Sequence, residues 1–240
     1  MSLSESAKKA HQKLMLKVLA YSEAYIFVLE AEKMSLRNLA AIASKGSNEN
    51  VDDTIHGSYL RLNNILKKYK IRPSQYYRSI LFVDLIASVE LFFVELIKAA
   101  IVEHPQKVGD SKFELKEVLR GLTVDELIER CANDFIHKLM YEKPEDYLEK
   151  MCSVLSIDSG EVAPFWPRFI EAKARRDLGV HNNWICNDLY IRKTKGLLGI
   201  QVAKRDEILL PCDRDYCNEV NGTIVNLSKT MIEMIYKKHS

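Results

Sequence analysis

The apolar residues of this chain recur at helical spacing over most of its length. Within residues 4–44, Leu14, Val18, Tyr21, Tyr25, Val28 and Leu29 follow one another mostly three or four apart, which puts them on one face of a long helix. A Ser2-x-x-Glu5 capping box opens that helix, and Gly46 is placed to end it as a C-terminal cap. The loop continues through Val51-Asp52-Asp53-Thr54, and a shorter helix follows over 59–69. Arg72-Pro73-Ser74 starts the next helix, because proline is tolerated in the first turn. That helix runs to about Val102 and stops before His104-Pro105. Capping boxes at Ser111-x-x-Glu114 and Thr123-x-x-Glu126 predict helices over 112–120 and 124–141. Lys143-Pro144-Glu145 opens a helix over 144–155, and another runs from Pro164 to about His181, carrying Phe169 and Ala172 toward a core. Asp213 caps a final helix over 214–238, with Val220, Ile224, Leu227, Met231 and Ile235 as its apolar stripe.

The pattern breaks after Trp184. Residues 188–196 read as irregular, and 200–203 with 207–210 read as two short strands of a small β-hairpin near 198–210. The predicted fold is all-α, an up-and-down bundle of long helices. Residues 46–73 are the one candidate boundary. They divide an N-terminal helical extension, 1–70, from a main bundle, 73–240, and the two can still form a single compact unit.

Composition sharpens this picture. Nine Gly and six Pro in 240 residues fit long helices with few connections. The formal net charge of +2 excludes a global basic field, so any anion site must be local. The five Cys include no Cys-x-x-Cys pair, which argues against a zinc site and for reduced thiols in a cytoplasmic protein. The first residues lack the basic start and apolar run of a signal peptide. The apolar stretch 80–102 contains Asp84, Glu90, Glu95 and Lys98. Charges within a membrane span cost roughly 2.5–3.5 kcal/mol each, so this is a core helix and no membrane contact is expected. Asp84, Ser88, Leu91, Glu95 and Lys98 share one stripe of it, while Glu90 lies among apolar residues. Glu90 either pairs with a Lys or Arg of a neighbouring helix or faces a site.

The chemistry concentrates at Ala174-Arg175-Arg176-Asp177-Leu178-Gly179-Val180-His181-Asn182-Asn183-Trp184. Asp177 and His181 are one helical turn apart, so the carboxylate can hold the imidazole. Arg176 and His181 lie ~140° apart around an unbroken helix. A bend at Gly179, or a second subunit, would bring them together. A guanidinium clamps two phosphate oxygens, and an imidazole exchanges protons near neutral pH. No carboxylate cluster with metal-ligand spacing accompanies them. The pair therefore suits metal-free attack of a ribose 2′-hydroxyl on its adjacent phosphate. Arg168, Lys173, Arg192, Lys193, Lys195, Lys204 and Arg205 add positive charge nearby; they are either a solvated face or a phosphate-attracting one. Trp184, Tyr190 and Trp166 are candidate stacking rings, with core packing the default for Trp166.

Arg176-Asp177-Leu178-Gly179-Val180-His181 resembles the Arg-x4-6-His motif of the HEPN superfamily, in which a polar residue often follows the Arg. The resemblance covers roughly 73–240. It implies an all-α bundle and a homodimer whose two motifs face each other across a shared cleft. It also implies a metal-independent endoribonuclease of defence, toxin–antitoxin or RNA-processing systems, with RNA as substrate, no cofactor, and an antitoxin or other regulatory protein as a partner. Carried over by position, Arg176 would stabilise the scissile phosphate, His181 would be general acid or base, and Asp177 would orient the imidazole or the ribose hydroxyl. Arg175 is the alternative phosphate contact. Lys173, Asn182 and Trp184 would help to hold the substrate. The other outcome is a non-catalytic HEPN-like module that binds RNA, a nucleotide or a partner protein. Asn183 stands where some toxins of the family carry a Tyr, so regulation through such a Tyr is not expected.

Overall fold

The computed structural model describes residues 2–45, 53–108 and 122–239. Among them the chain is all-α, with nine helices and no strand. They are α1 (Leu3–Lys45), α2 (Asp53–Lys67), α3 (Pro73–Glu103), α4 (Val124–Leu139), α5 (Pro144–Leu155), α6 (Ser159–Val162), α7 (Trp166–His181), α8 (Asp188–Thr194) and α9 (Arg214–His239). A short 3-10 turn, Pro105–Val108, follows α3.

The apolar segment at 80–102 becomes the central helix, α3, which packs against α1, α2, α4, α5 and α7. Its buried face includes Phe82, Leu85, Ile86, Val89, Phe92, Phe93, Leu96 and Ile97. Its polar stripe meets α1: Lys13 Nζ lies 2.7 Å from Glu95, and Lys17 Nζ 3.1 Å from Asp84. Those pairs, with the Leu3 amide donating to Glu103 at the far end, run α1 antiparallel to α3. Arg78 is buried near the start of α3 and ties three segments together. Its Nε donates to the Ser74 carbonyl, and its Nη1 donates to Tyr25 Oη at 3.1 Å and to the Cys212 carbonyl at 2.8 Å. The start of α9 is thereby set beside the same ends of α1 and α3.

One continuous core joins Leu3 through Tyr25 to Phe82, Trp166, Val220 and Ile235. Helix α1, from Leu3 to Tyr25, thus shares one core with α3, α7 and α9. The predicted stripe of α9 is buried throughout, as is that of α1 from Leu14 to Tyr25. The centre of the core is aromatic. Phe93 packs edge-on against Phe169 at 5.2 Å between ring centroids, with Tyr147 and Trp166 beside it. Trp166 Nε1 donates to the Pro144 carbonyl at 2.8 Å, so the one polar atom of this ring is satisfied.

The caps read from the sequence form. Ser2 and Glu5 exchange hydrogen bonds, Thr123 and Glu126 do the same, and Asp213 accepts from the Tyr216 amide at 2.9 Å. Gly46, the Ser111 capping box and the 112–120 helix lie outside the described residues. Three expectations change. Helix α2 begins at Asp53, inside the expected loop. Residues 188–194 are the helix α8, which the Asn187 side chain caps by accepting from the Tyr190 amide at 3.0 Å. The predicted hairpin does not pair with itself. Residues 207–209 instead lie against 184–186, with an isolated bridge between Ile185 and Ile208 and bonds from the Leu209 amide to the Trp184 carbonyl and from the Cys186 amide to the Glu207 carbonyl. No helix among the described residues is long and apolar enough to cross a membrane.

The aromatic centre sets an expected outcome. Phe93→Ala empties a fully buried position, and unfolding in urea is expected to show a loss of about 3–5 kcal/mol. Ile97→Val, also buried in α3, should cost only about 0.5–1.5 kcal/mol.

Candidate functional site

Helix α7 carries every residue of the Arg176–His181 motif, and its setting is unusual. Trp166, Phe169, Ile170, Glu171, Ala172, Ala174 and Leu178 are all buried. They leave almost no face of the helix free, so its charged side chains emerge through gaps between packed neighbours. They sort into two networks on different sides.

The first network holds Arg176. Glu90 of α3 accepts from both Lys173, at 2.5 Å, and Arg176. Arg176 Nη1 also lies 3.3 Å from Asp177, and Asp177 lies 3.1 Å from Lys193 of α8. Charges alternate along the chain Lys173–Glu90–Arg176–Asp177–Lys193, which carries three cations and two carboxylates. The Arg176 guanidinium is largely shielded, at 17% exposure. Its Nε is buried with no hydrogen-bond partner among the described residues. Of the two roles open to Glu90, pairing with a neighbouring helix is the one observed.

The second network is built on Glu171, a carboxylate only 1% exposed. Its Oε1 accepts from Arg175 Nε at 2.8 Å and from Tyr190 Oη at 2.7 Å. Its Oε2 accepts from Tyr216 Oη at 2.9 Å and from Arg168 Nη1 at 3.3 Å. The Arg175 guanidinium stacks over the Tyr216 ring, 3.9 Å from its centre. Burial first, and the Glu171 charge second, push the Tyr190 and Tyr216 phenols above their ordinary range. Arg175 thus belongs to a structural cluster on the far side of α7 from Glu90. The sequence reading missed Glu171, although Arg at i−3 and i+4 around an acidic residue between apolar neighbours is the signal of a buried ion pair.

The end of α7 differs from expectation. The helix passes unbroken through Gly179 to His181. Glycine serves a close approach here: a Cβ at Gly179 would lie 2.3 Å from the Trp184 ring. The chain turns back at Asn182, with the Trp184 amide donating to the Leu178 carbonyl, and Asn183 and Trp184 take positive φ of 49° and 65°. Trp184 is then buried against Gly179 and Phe82, a position that leaves its ring no free face for a base. Asn182 Nδ2 donates to the Ile185 carbonyl at 2.6 Å and so holds the turn. Lys173 is engaged by Glu90. His181 is exposed at the helix end. With the helix continuous, Arg176 and His181 stay ~140° apart around its axis, so a single chain does not bring them together.

Six of the seven expected basic residues divide between two clefts, and Lys195 lines neither. Arg168, Lys204 and Arg205 border a cleft of about 840 Å³ over the Glu171 network, where Asp206 and Glu207 offset their charge. Lys173, Arg192 and Lys193 line a smaller cleft of about 260 Å³, together with Lys143, which sequence reasoning did not single out. Tyr141 stands exposed at its rim. Ile170, Lys173 and Ala174 form the α7 wall of this cleft. Asp177 and His181 continue the same face at spacings of three and four. The chain matches no protein-family model, and no curated protein or solved structure matches it.

Two outcomes test this geometry. Glu171→Ala strands the Arg175 guanidinium and leaves two phenols without their acceptor, while Arg168 keeps Glu219; it is expected to lower the unfolding free energy by about 3–5 kcal/mol. A loss below about 1 kcal/mol in urea unfolding would show that the network contributes little. The raised phenols stabilise the fold fully below their unfolded pKa of about 10 and progressively less above it, because only the unfolded chain then ionises them. Stability should therefore fall between roughly pH 10 and 11.5, and Tyr190→Phe should fall less steeply over that range.

Proposed function

We propose that this chain is a metal-independent endoribonuclease of HEPN type, acting as a homodimer in the cytoplasm. One observation carries the reading. The α7 face that bears Asp177 and the exposed His181 continues into the cleft lined by Lys143, Lys173, Arg192 and Lys193. Four cations line this cleft beside one carboxylate, Glu142; Lys173 and Lys193 are paired with Glu90 and Asp177, so Lys143 and Arg192 supply most of its attraction for a phosphate. The exposed Tyr141 at the rim offers a ring on which a base can stack. In this reading RNA lies along the cleft and over the end of α7. His181 of one protomer removes the proton of a ribose 2′-hydroxyl. The 2′-oxygen bonds to phosphorus, the bond from phosphorus to the 5′-oxygen breaks, and the imidazole of the partner protomer returns a proton to that leaving oxygen. Arg176, set on another side of α7 from its own His181, steadies the charge of the phosphoryl oxygens where the second protomer completes the site, with Asp177 holding the guanidinium. A role in defence, toxin–antitoxin or RNA processing, with a neutralising partner, belongs to the same proposal.

A second reading has its own observation. Glu90 and Asp177 occupy the Arg176 guanidinium, as they would in a module that binds RNA, a nucleotide or a partner protein without cutting it.

Cleavage of a mixed single-stranded RNA separates the two. The ribonuclease is expected to work undiminished in EDTA, to leave 2′,3′-cyclic phosphate ends and to lose roughly 10²–10⁴-fold of its rate in His181→Ala. Activity lost to EDTA, or full activity in His181→Ala, rules it out. Salt-sensitive binding without cleavage selects the module. Analytical ultracentrifugation should find a dimer; a monomer at working concentration removes the two-histidine mechanism.

A further inference from the structure

The second half of α1, the start of α3 and the helix α2 enclose a groove of about 620 Å³ that includes no residue of α7. Its lining is mostly apolar and includes three aromatic residues, Phe27, Tyr59 and Tyr77, with Leu62 between them. At its base is Glu32, a carboxylate only 8% exposed. Glu32 Oε2 accepts from Ser74 Oγ at 2.6 Å. Its Oε1 is buried with no hydrogen-bond partner among the described residues. Arg78 is bonded to Ser74, Tyr25 and Cys212, and Arg72 lies outside the groove lining, although its charge opposes that of Glu32 at Tyr59. The Tyr59 phenol is pushed up by burial first and by the Glu32 charge second, so the carboxylate's field reaches across to α2.

A buried carboxylate oxygen without a donor is costly and rare. Other buried carboxylates of this fold are answered: Glu171 has four donors and Glu90 two cations. Glu32 has one hydroxyl and an adjoining groove of the size that holds a small molecule. Aromatic faces beside a negative charge attract a cation that also carries apolar surface. We propose that this groove binds a small organic ammonium compound, its charged nitrogen held by the Glu32 carboxylate and its apolar body lying between Phe27, Tyr59 and Tyr77. The inference is independent of the ribonuclease reading, because the groove shares no residue with α7.

The test uses the full chain and three probes: phenethylammonium, cyclohexylammonium and hexylammonium, each against its uncharged alcohol. Binding is followed by calorimetry and by chemical-shift changes at Tyr59 and Tyr77. At least one ammonium is expected to saturate the site, with the matching alcohol at least about tenfold weaker, the loss expected when a charge-assisted hydrogen bond is removed. Glu32→Gln should remove that preference. Its folding is checked by circular dichroism, and the comparison of ammonium with alcohol on the unaltered chain stands without it. Three results overturn the proposal: no saturable binding of any ammonium probe, equal affinity for ammonium and alcohol, or a folded Glu32→Gln that keeps the preference.

Discussion

A helix buried on nearly every side can carry charge only if each charge is met inside the fold. Helix α7 bears Arg168, Lys173, Arg175 and Arg176 within nine residues, and it is packed against α3, α8 and α9. Isolated ions in such a place would cost several kcal/mol each. Glu171 and Glu90 make the arrangement tolerable by taking those four cations on two sides of the helix. The rest of the architecture follows from this. Tyr190 and Tyr216 come to Glu171 because its oxygens have capacity for further donors, and they carry α8 and the start of α9 with them. Lys193 comes to Asp177 because Arg176 alone leaves that carboxylate with an open oxygen. The position of α8, and so the shape of the cation-lined cleft, depends on how α7 neutralises itself.

The bundle was legible because its signals are local. Capping residues and proline starts act within one turn, so Thr123, Asp213 and Pro144 mark their helices without reference to anything distant. Stripes such as Val220 to Ile235 are equally local in origin. What the pattern did not disclose depends on distant partners. Residues 207–209 have the composition of a strand, but the edge they pair with is the turn after α7, which exists only because Trp184 folds back. Asn187 is a helix cap by type, yet it sits in a polar stretch whose apolar periodicity is too short to announce a seven-residue helix.

The site was legible in part for the same reason. The cluster Arg175 to His181 stands out by composition, and α7 does carry it. The directions of its side chains could not be read, because Arg175 and Arg176, adjacent in sequence, leave the helix ~100° apart and find different carboxylates. Glu90 supplied the one usable hint, as a charge among apolar neighbours. Glycine within the motif invites a bend in a sequence reading. Here its hydrogen is what allows the Trp184 ring to lie on the helix, which continues through Gly179 to His181.

That straightness has a consequence for any chemistry at this helix. If α7 neither bends nor unwinds, Arg176 and His181 of one chain lie on different sides of it, and no small motion of the histidine alone closes the gap. Two copies related by a two-fold axis near the end of α7 would place two exposed imidazoles across one opening, where a base and an acid are both needed. A single imidazole would have to serve as both within one step, which the geometry of in-line displacement at phosphorus opposes, because the entering and leaving oxygens lie on opposite sides. The carboxylate pairing of Arg176 then has a different meaning from simple sequestration. Glu90 and Asp177 fix the guanidinium in place before any ligand arrives, and a positioned cation stabilises charge without the cost of ordering a long side chain during reaction. The same two carboxylates also lower the attraction Arg176 offers to a phosphate. A symmetric pair of clefts, each lined by Lys143, Arg192 and Lys193, would have to supply that attraction instead.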